Sequence, residues 1–506
     1  MERRTFLKIL SSAGIVSLVS PTFAMEVCKN KVSKSSSALL ESAFRNPPFS
    51  SGVYTWWHWM NGNITKDGIT RDLEAMKANG IAGYQLFEAG SGIPIGPVES
   101  LSDEWVDLIL HTLKESERLG LEFAMHNCPG WSSSGGPWIT PDKAMQIITW
   151  SETKITGGKQ VRIQLPTPKH MFDYYIDTYC LAIPANMKVI PRLSILELSN
   201  RLDKDGVLTW DVPTGEWLIM RFGQTAKDQK NKSAPSKSTG LDCDKFSTEA
   251  LDYHLNCMFK RLMPTMEKIA KHSKIGLLID SYETGDQDWT SDMPAYFEQS
   301  HGYELYPFLP VLANKIVESE ESTKRFLFDF RRVRADMFAE RYYGHFQKRC
   351  KEKGIITYTE PYGGNMMEEL QVAQQLDINM GEFWCGQTVL WANYKYNRTV
   401  KQVASIVHTL GGKVVGAEAF TSEPDADKWL QYPYALKSLG DYMFTRGLSR
   451  IYFHRFAHQP HPTAAPGMTM GAWGLHFDRT NTWWKPGKAW IEYLNRCQYI
   501  FQSSTF

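Results

Sequence analysis

The chain has 506 residues, 42% of them hydrophobic and 22% charged, with a formal net charge of +1. That composition can bury a large core, and its near-neutral balance gives no reason to expect nucleic acid or an acidic membrane surface as a partner. The eight cysteines form no CxxC pair, and a chain of this size does not depend on disulfides.

The N-terminal stretch reads as an export signal over 1–24. Arg3-Arg-Thr-Phe-Leu-Lys8 has a twin-arginine pattern, Ile9 to Val19 is apolar but too short for a permanent span, and Thr22-Phe-Ala24 resembles a cleavage site. The expected location is therefore the bacterial periplasm, with no stable membrane insertion once the signal is removed. Residues 25–50, rich in Lys and Ser, read as a linker.

From Val53 the pattern alternates strand and helix. Over 51–144 it predicts a strand from Val53 to Trp59 and a helix from N-cap Thr65 to Asn79, with Ile69, Leu73 and Met76 on one face. A strand from Ile81 to Phe87 then ends at Glu88. Ser102, with Asp103 and Glu104 behind it, opens another helix, and Leu121 to His126 is the third strand. Over 145–225 the rhythm changes to short alternating runs such as Gln160-Val-Arg-Ile-Gln-Leu165, broken by Pro and Gly, which predicts antiparallel strands. Alternation resumes over 226–506. It begins with a polar Lys/Ser loop at 227–238, a helix at 248–272 and a strand at 275–280. A helical insertion near 322–353 precedes strands at 355–360, 378–382, 413–418 and 450–454. The fold expected is α/β, a (β/α)8 TIM-type barrel with an inserted antiparallel β subdomain after the third strand.

The strand ends carry the functional signal. They are His58, Glu88, His126, Asp280 with Glu283, Glu360, Glu382, Glu418 and His454. The interior layers of a barrel need Val, Ile and Leu, whereas its C-terminal mouth is where catalytic groups collect. Aromatics flank these positions at Trp57, Trp131 and Trp384, and Asn61 follows the first strand. Carboxylates beside flat apolar faces suit a neutral polyhydroxylated ligand. His454, His458 and His461 have a metal-binding composition, but Pro460 and Pro462 forbid a regular helix, so hydrogen bonds to substrate hydroxyls are the expected role. No GxSxG elbow, phosphate loop, HExxH or dinucleotide fingerprint occurs.

Six motifs, in one order, resemble glycoside hydrolase family 106, the α-L-rhamnosidases. They are Trp57-His-Trp-Met-Asn-Gly-Asn63, His126-Asn-Cys-Pro-Gly-Trp131, Thr239-Gly-Leu-Asp-Cys-Asp-Lys245, Asp280-Ser-Tyr-Glu283, Thr359-Glu-Pro-Tyr-Gly-Gly364 and Gly416-Ala-Glu-Ala-Phe-Thr421. The resemblance covers the catalytic barrel part, from about Ser51 to about Trp490. It implies exo-acting release of terminal α-L-rhamnose from a plant or microbial oligosaccharide or polysaccharide, with inversion of configuration. It places the general acid at Glu283, supported by Asp280, and the general base at Glu418. His58, Trp57, Asn61, Glu88, His126, Trp131, Glu360, Glu382, Trp384, His454 and His458 are then candidates for holding substrate. Calcium is implied without assigned ligands, and crowded strand-end carboxylates suit Ca²⁺; no organic cofactor is expected. Family members are longer, with β-rich domains after the barrel, so the chain reads as lacking C-terminal β domains.

Two other readings stand beside this one. A non-catalytic carbohydrate-binding remnant would keep the aromatics and lose carboxylates. A retaining glycosidase for another sugar would bring its two carboxyls to roughly 5–5.5 Å, against roughly 6.5–9.5 Å for an inverting one.

Overall fold

The computed structural model describes residues 34–131, 134–385, 389–422, 429–470 and 476–504. The expected export signal lies outside them. The stretch read as a linker is not structureless. It carries a helix, Lys34–Arg45, with an i,i+4 pair between Glu41 and Arg45 at 2.9 Å. The described residues up to Pro48 form a unit separate from those that begin at Phe49.

Eight parallel strands close the barrel in sequence order: β1 Tyr54–Met60, β2 Gly83–Ala89, β3 Glu122–His126, β4 Ile275–Ile279, β5 Ile356–Thr359, β6 Ile378–Cys385, β7 Val415–Ser422 and β8 Arg450–Ala457. β1 pairs with both β2 and β8, which completes the ring.

Alternate residues of each strand point inward, and they are layered. At the bottom, Tyr54, Tyr358 and Tyr452 fill the interior, with the Arg450 guanidinium over the Tyr54 ring at 4.8 Å. Glycines make room for these rings. A Cβ on Gly276 would come within 2.3 Å of Tyr358. One layer higher, Trp56, Phe87, Leu278 and Met380 form an apolar floor. Above that floor the inward positions become His58, His126, Asp280, Glu360, Glu382, Glu418 and His454.

Outward positions pack against helices whose ends follow the sequence signals. Thr65 accepts from the Gly68 amide ahead of the helix Lys66–Ala78, and Ser102 accepts from the Trp105 amide ahead of Asp103–Leu119. That second helix stops at Gly120, φ 63°, where a side chain would be strained. The helix expected over 248–272 is two, Thr248–Phe259 and Met263–Ala270. Pro264 has no amide to donate back into the preceding turn, so it opens a new helix. The helical insertion also begins earlier than expected, with Met293–His301 and Leu309–Leu312 ahead of Glu320–Met337.

Between β3 and β4 runs an antiparallel sheet in the order Gln146–Thr156, Glu216–Ala226, Ile176–Pro184, Leu196–Glu197. Lys159–Gln164 and Val207–Val212 pair separately. Behind this region Asp242 and Lys245, from one of the six motifs, form a fully buried ion pair, and Lys245 Nζ also donates to the Cys243 carbonyl at 2.8 Å. The Ser134 amide donates to Asp242, and the Ser134 hydroxyl donates to Asn127 Oδ1 at 2.5 Å, so this pair braces the loop after β3. No helix among the described residues is long and apolar enough to cross a membrane.

Candidate active site

Three of the barrel's carboxylates meet at one point. Glu360, Glu382 and Glu418 each offer one oxygen, and these oxygens lie within 4.8 Å of one another. Asp280 stands beside them and interacts with Glu360. Burial, followed by the charges of its neighbours, pushes the Glu360 and Glu418 carboxyls well above the ordinary range, and burial does the same to Asp280. Such a cluster cannot be fully ionised by itself, because like charges in a site of low dielectric repel strongly.

The trio fits a cation. All its donors are carboxylate oxygens, which suit a hard ion such as Ca²⁺ or Mg²⁺. Asp280 Oδ1 and Glu360 Oε1 are buried without hydrogen-bond partners. Two other oxygens are already committed, since Tyr362 donates its hydroxyl to Glu360 Oε2 and Thr421 donates to Glu418 Oε1.

Histidines close the other side of the mouth. His58, His126 and His454 are all buried, and burial lowers each pKa, that of His126 to about 4. At neutral pH they are uncharged rings, able to donate or accept a hydrogen bond. His454 Nδ1 is 3.4 Å from Glu418 Oε1 without hydrogen-bond alignment, so this contact is not an ion pair at neutral pH. Trp56 stacks on Phe87 and meets the edges of His58 and His454.

Glu283 occupies a different setting. It follows β4 by four residues and stays partly exposed at the rim. Trp131 Nε1 donates to its carboxylate at 3.3 Å, and the Lys232 ammonium is 3.1 Å away. Asp280 and Glu418 both feel its charge. Neither Tyr282 nor Trp289 walls it: Tyr282 turns outward to donate to the Gly285 carbonyl, and Trp289 is fully buried in the outer core.

Three sequence candidates do not reach the mouth. Trp57 is buried on the outer face of β1, where its Nε1 donates to Asp72 at 3.2 Å; the strand's pleat gives the inward place to Trp56. Glu88 also faces outward, accepting from Ser100 at 2.8 Å, and burial raises its carboxyl to about 7; Phe87 is the inward residue there. Both ring nitrogens of His458 are used by the protein, Nδ1 with Asp72 at 2.8 Å and Nε2 accepting from the Thr65 amide at 3.3 Å. Its three-histidine run does not converge, because His461 instead accepts from the Thr463 and Ala464 amides. Asn61 sits at the rim and donates to the Ile93 carbonyl at 2.6 Å, which fixes the loop after β2. Trp384 ends β6 half-buried on the mouth side.

The site therefore holds two residues that the motif pattern missed. Trp56 was recoverable, since counting in twos from His58 puts it on the same face. Lys232 comes from the polar loop that follows the antiparallel sheet, and nothing local marks it.

Comparison with known proteins agrees with the barrel fold. The glycoside hydrolase 106 sequence family, described as alpha-L-rhamnosidase, matches residues 45–176 and 168–506. A protein of Formosa agariphila (strain DSM 15362 / KCTC 12365 / LMG 23005 / KMM 3901 / M-2Alg 35-1), named "Putative beta-glucuronidase", is 40% identical over 494 residues, covering 92% of this chain and 42% of that protein. The solved structure of a rhamnosidase from Novosphingobium sp. PP1Y matches with a TM-score of 0.85 at 24% identity, over 92% of this chain and 61% of that one. At that identity the likeness speaks for the fold. The chain spans about two-fifths of the curated relative's length and about three-fifths of the solved rhamnosidase.

Proposed function

The chain belongs to glycoside hydrolase family 106, the alpha-L-rhamnosidase family, and from that premise we propose that it releases terminal α-L-rhamnose from a glycan by inverting, acid/base-catalysed hydrolysis. The observation that carries this reading is the unequal setting of its carboxyls. Glu283 stands at the rim, held by Trp131 and Lys232, while Glu418 is sunk in the buried carboxyl cluster on the far arc of the barrel, three strands away. Inversion needs one carboxyl at the glycosidic oxygen and another across the sugar to take a proton from water.

In this scheme Glu283 gives its proton to the departing oxygen, and Glu418 Oε1 or Oε2 receives one from the attacking water. Asp280 and the neutral His58, His126 and His454 accept and donate hydrogen bonds to ring hydroxyls, and Trp56 with Phe87 forms the apolar floor beneath the sugar. Glu360, Glu382 and Glu418 would hold calcium, which when bound offsets the repulsion that keeps the trio protonated and orients hydroxyls of the sugar.

The name of the Formosa relative favours a second reading, a glucuronide substrate. A uronate needs a cation for its carboxylate, and Lys232, the ammonium at the rim, is already paired with Glu283. Retaining hydrolysis of another sugar is a third reading, and sugar binding without catalysis is a fourth. A screen of the purified protein on aryl glycosides separates all four, with proton NMR of the first-formed sugar. Release from the α-L-rhamnoside as the β-anomer is expected. Initial α-anomer would replace inversion by retention, release from the β-glucuronoside would change the substrate, and no turnover of any glycoside would leave only binding.

A further inference from the structure

A second concavity lies beside the mouth, in the segments that follow β7 and β8. It encloses about 630 Å³, the size of a small-molecule site. Trp429, Gln431, Tyr432, Asp478, Asn481 and Trp483 are among its walls. Trp429 and Tyr432 are each about half exposed and stand on the same wall of the cavity. The Trp429 ring is nearly parallel to that of His476, at 5°, and both rings line the cavity.

The cavity is mechanically continuous with the site. The Phe477 amide donates to the Arg455 carbonyl, one residue beyond His454, and the Phe477 ring packs on Phe453 at 4.3 Å. Met468, on another wall, is fixed through both its amide and its carbonyl to Gln459, which follows β8. The polar walls are amides, hydroxyls, the His476 imidazole and one carboxyl, Asp478, which burial raises to about 6. No lysine or arginine is among the described residues lining it.

We propose that this cavity is a subsite for a neutral pyranose farther along the same glycan, stacked on Trp429 and hydrogen-bonded by Gln431 and Asn481. The proposal rests on the glycosidase reading above. Its chemistry follows from the lining, since an indole face takes the C–H side of a sugar ring and amides take its hydroxyls. A uronate would meet the Asp478 carboxyl, whose nearby Arg455 guanidinium is fully buried and not among the described lining residues.

The test uses the full chain made inactive by Glu283→Gln and Glu418→Gln, so that ligands are bound and not consumed. Isothermal titration with a neutral rhamnose-terminated tetrasaccharide should show binding that Trp429→Ala weakens roughly tenfold and Trp429→Phe largely restores. Methyl α-L-rhamnoside should bind the two Trp429 forms alike. The analogue carrying a uronate at an inner position should bind more weakly than the neutral chain. Equal loss for mono- and tetrasaccharide, or no loss at all, would overturn the subsite. So would a concentration-dependent dimer, seen by sedimentation and abolished by Trp429→Ala with tetrasaccharide binding intact, because the face would then be a contact between copies. Tetrasaccharide binding that depends on Trp429 in a protein that hydrolyses no rhamnoside would keep the subsite and remove the catalytic reading.

Discussion

Replacing Glu360 by Gln should stabilise the protein at alkaline pH while impairing it as a hydrolase. Glu360 is fully buried, and one of its oxygens lies within 4.8 Å of one from Glu382 and one from Glu418. At an effective dielectric of about 20, two like charges at that separation repel by about 3.5 kcal/mol. Folding therefore raises this carboxyl, and the folded state keeps a proton that the unfolded chain releases. Wild-type stability must then fall as pH climbs from the unfolded value of about 4.3 toward the raised folded one. Glutamine removes that slope and keeps the Tyr362 hydrogen bond through its carbonyl oxygen. In chelator, the variant should gain about 3 kcal/mol over wild type at pH 8, and the gap should vanish near pH 4. Denaturant titrations at the two pH values read this directly. Added calcium should shift the comparison, since an ion at 100 times its Kd stabilises wild type by about 2.7 kcal/mol and the weakened variant by less. A variant less stable than wild type at pH 8 in chelator, or a gap independent of pH, would refute the reasoning.

Other outcomes follow from the same geometry. Glu283→Gln should retain activity on a nitrophenyl rhamnoside and lose it on a disaccharide, whereas Glu418→Gln should lose about 10²–10⁴-fold in kcat on both, because a good leaving group dispenses with the acid and not the base; the opposite pattern would exchange the two roles. Trp57→Phe should lower stability by about 0.5–1.5 kcal/mol through the lost indole hydrogen bond to Asp72, whose Oδ2 keeps His458 and the Gln459 amide, and leave KM alone. Trp56→Phe should raise KM with a smaller thermal shift, and equal behaviour of the two in both assays would contradict their opposite facing. Export predicts a mature chain that starts after Ala24, and an intact mass retaining Met1 in the periplasmic fraction would end that expectation.

Depth along a strand was legible in the sequence, and facing was less so. Each barrel strand was found because a buried apolar run ended in an ionisable residue, and two of those ends pair directly, Glu382 with Glu418, while Glu418 in turn pairs with Tyr452, two residues before His454. Which way a side chain points depends on parity within the strand, and choosing residues by chemical type ignores parity. His58 fixes the parity of β1, so Trp56 belongs inside and Trp57 outside. Phe87, two residues on from Gln85, excludes Glu88 by the same count. A carboxylate at a strand end is a site candidate only when it shares parity with the barrel's inward layers.

Partnership across the chain was not legible at all. His458 looked like a ligand because nothing near it in sequence uses its ring, yet its partner Asp72 lies 386 residues away. Asp72 also receives Arg479 at 2.7 Å and the Gln459 amide at 3.0 Å, so this one buried carboxylate ties the first barrel helix to the segment after β8. Lys232 is the converse case. It is 51 residues from Glu283 and sits in a loop that reads as plain solvent-exposed filler, yet it supplies the ammonium beside the rim carboxylate. The antiparallel insertion after β3 thereby gains a role beyond packing, because the chain leaving it delivers a cation to a mouth whose own strands deliver acids and neutral histidines. Without that cation, every charge the described mouth presents to a substrate would be negative or absent, and the orientation of Glu283 would rest on the single indole hydrogen bond from Trp131.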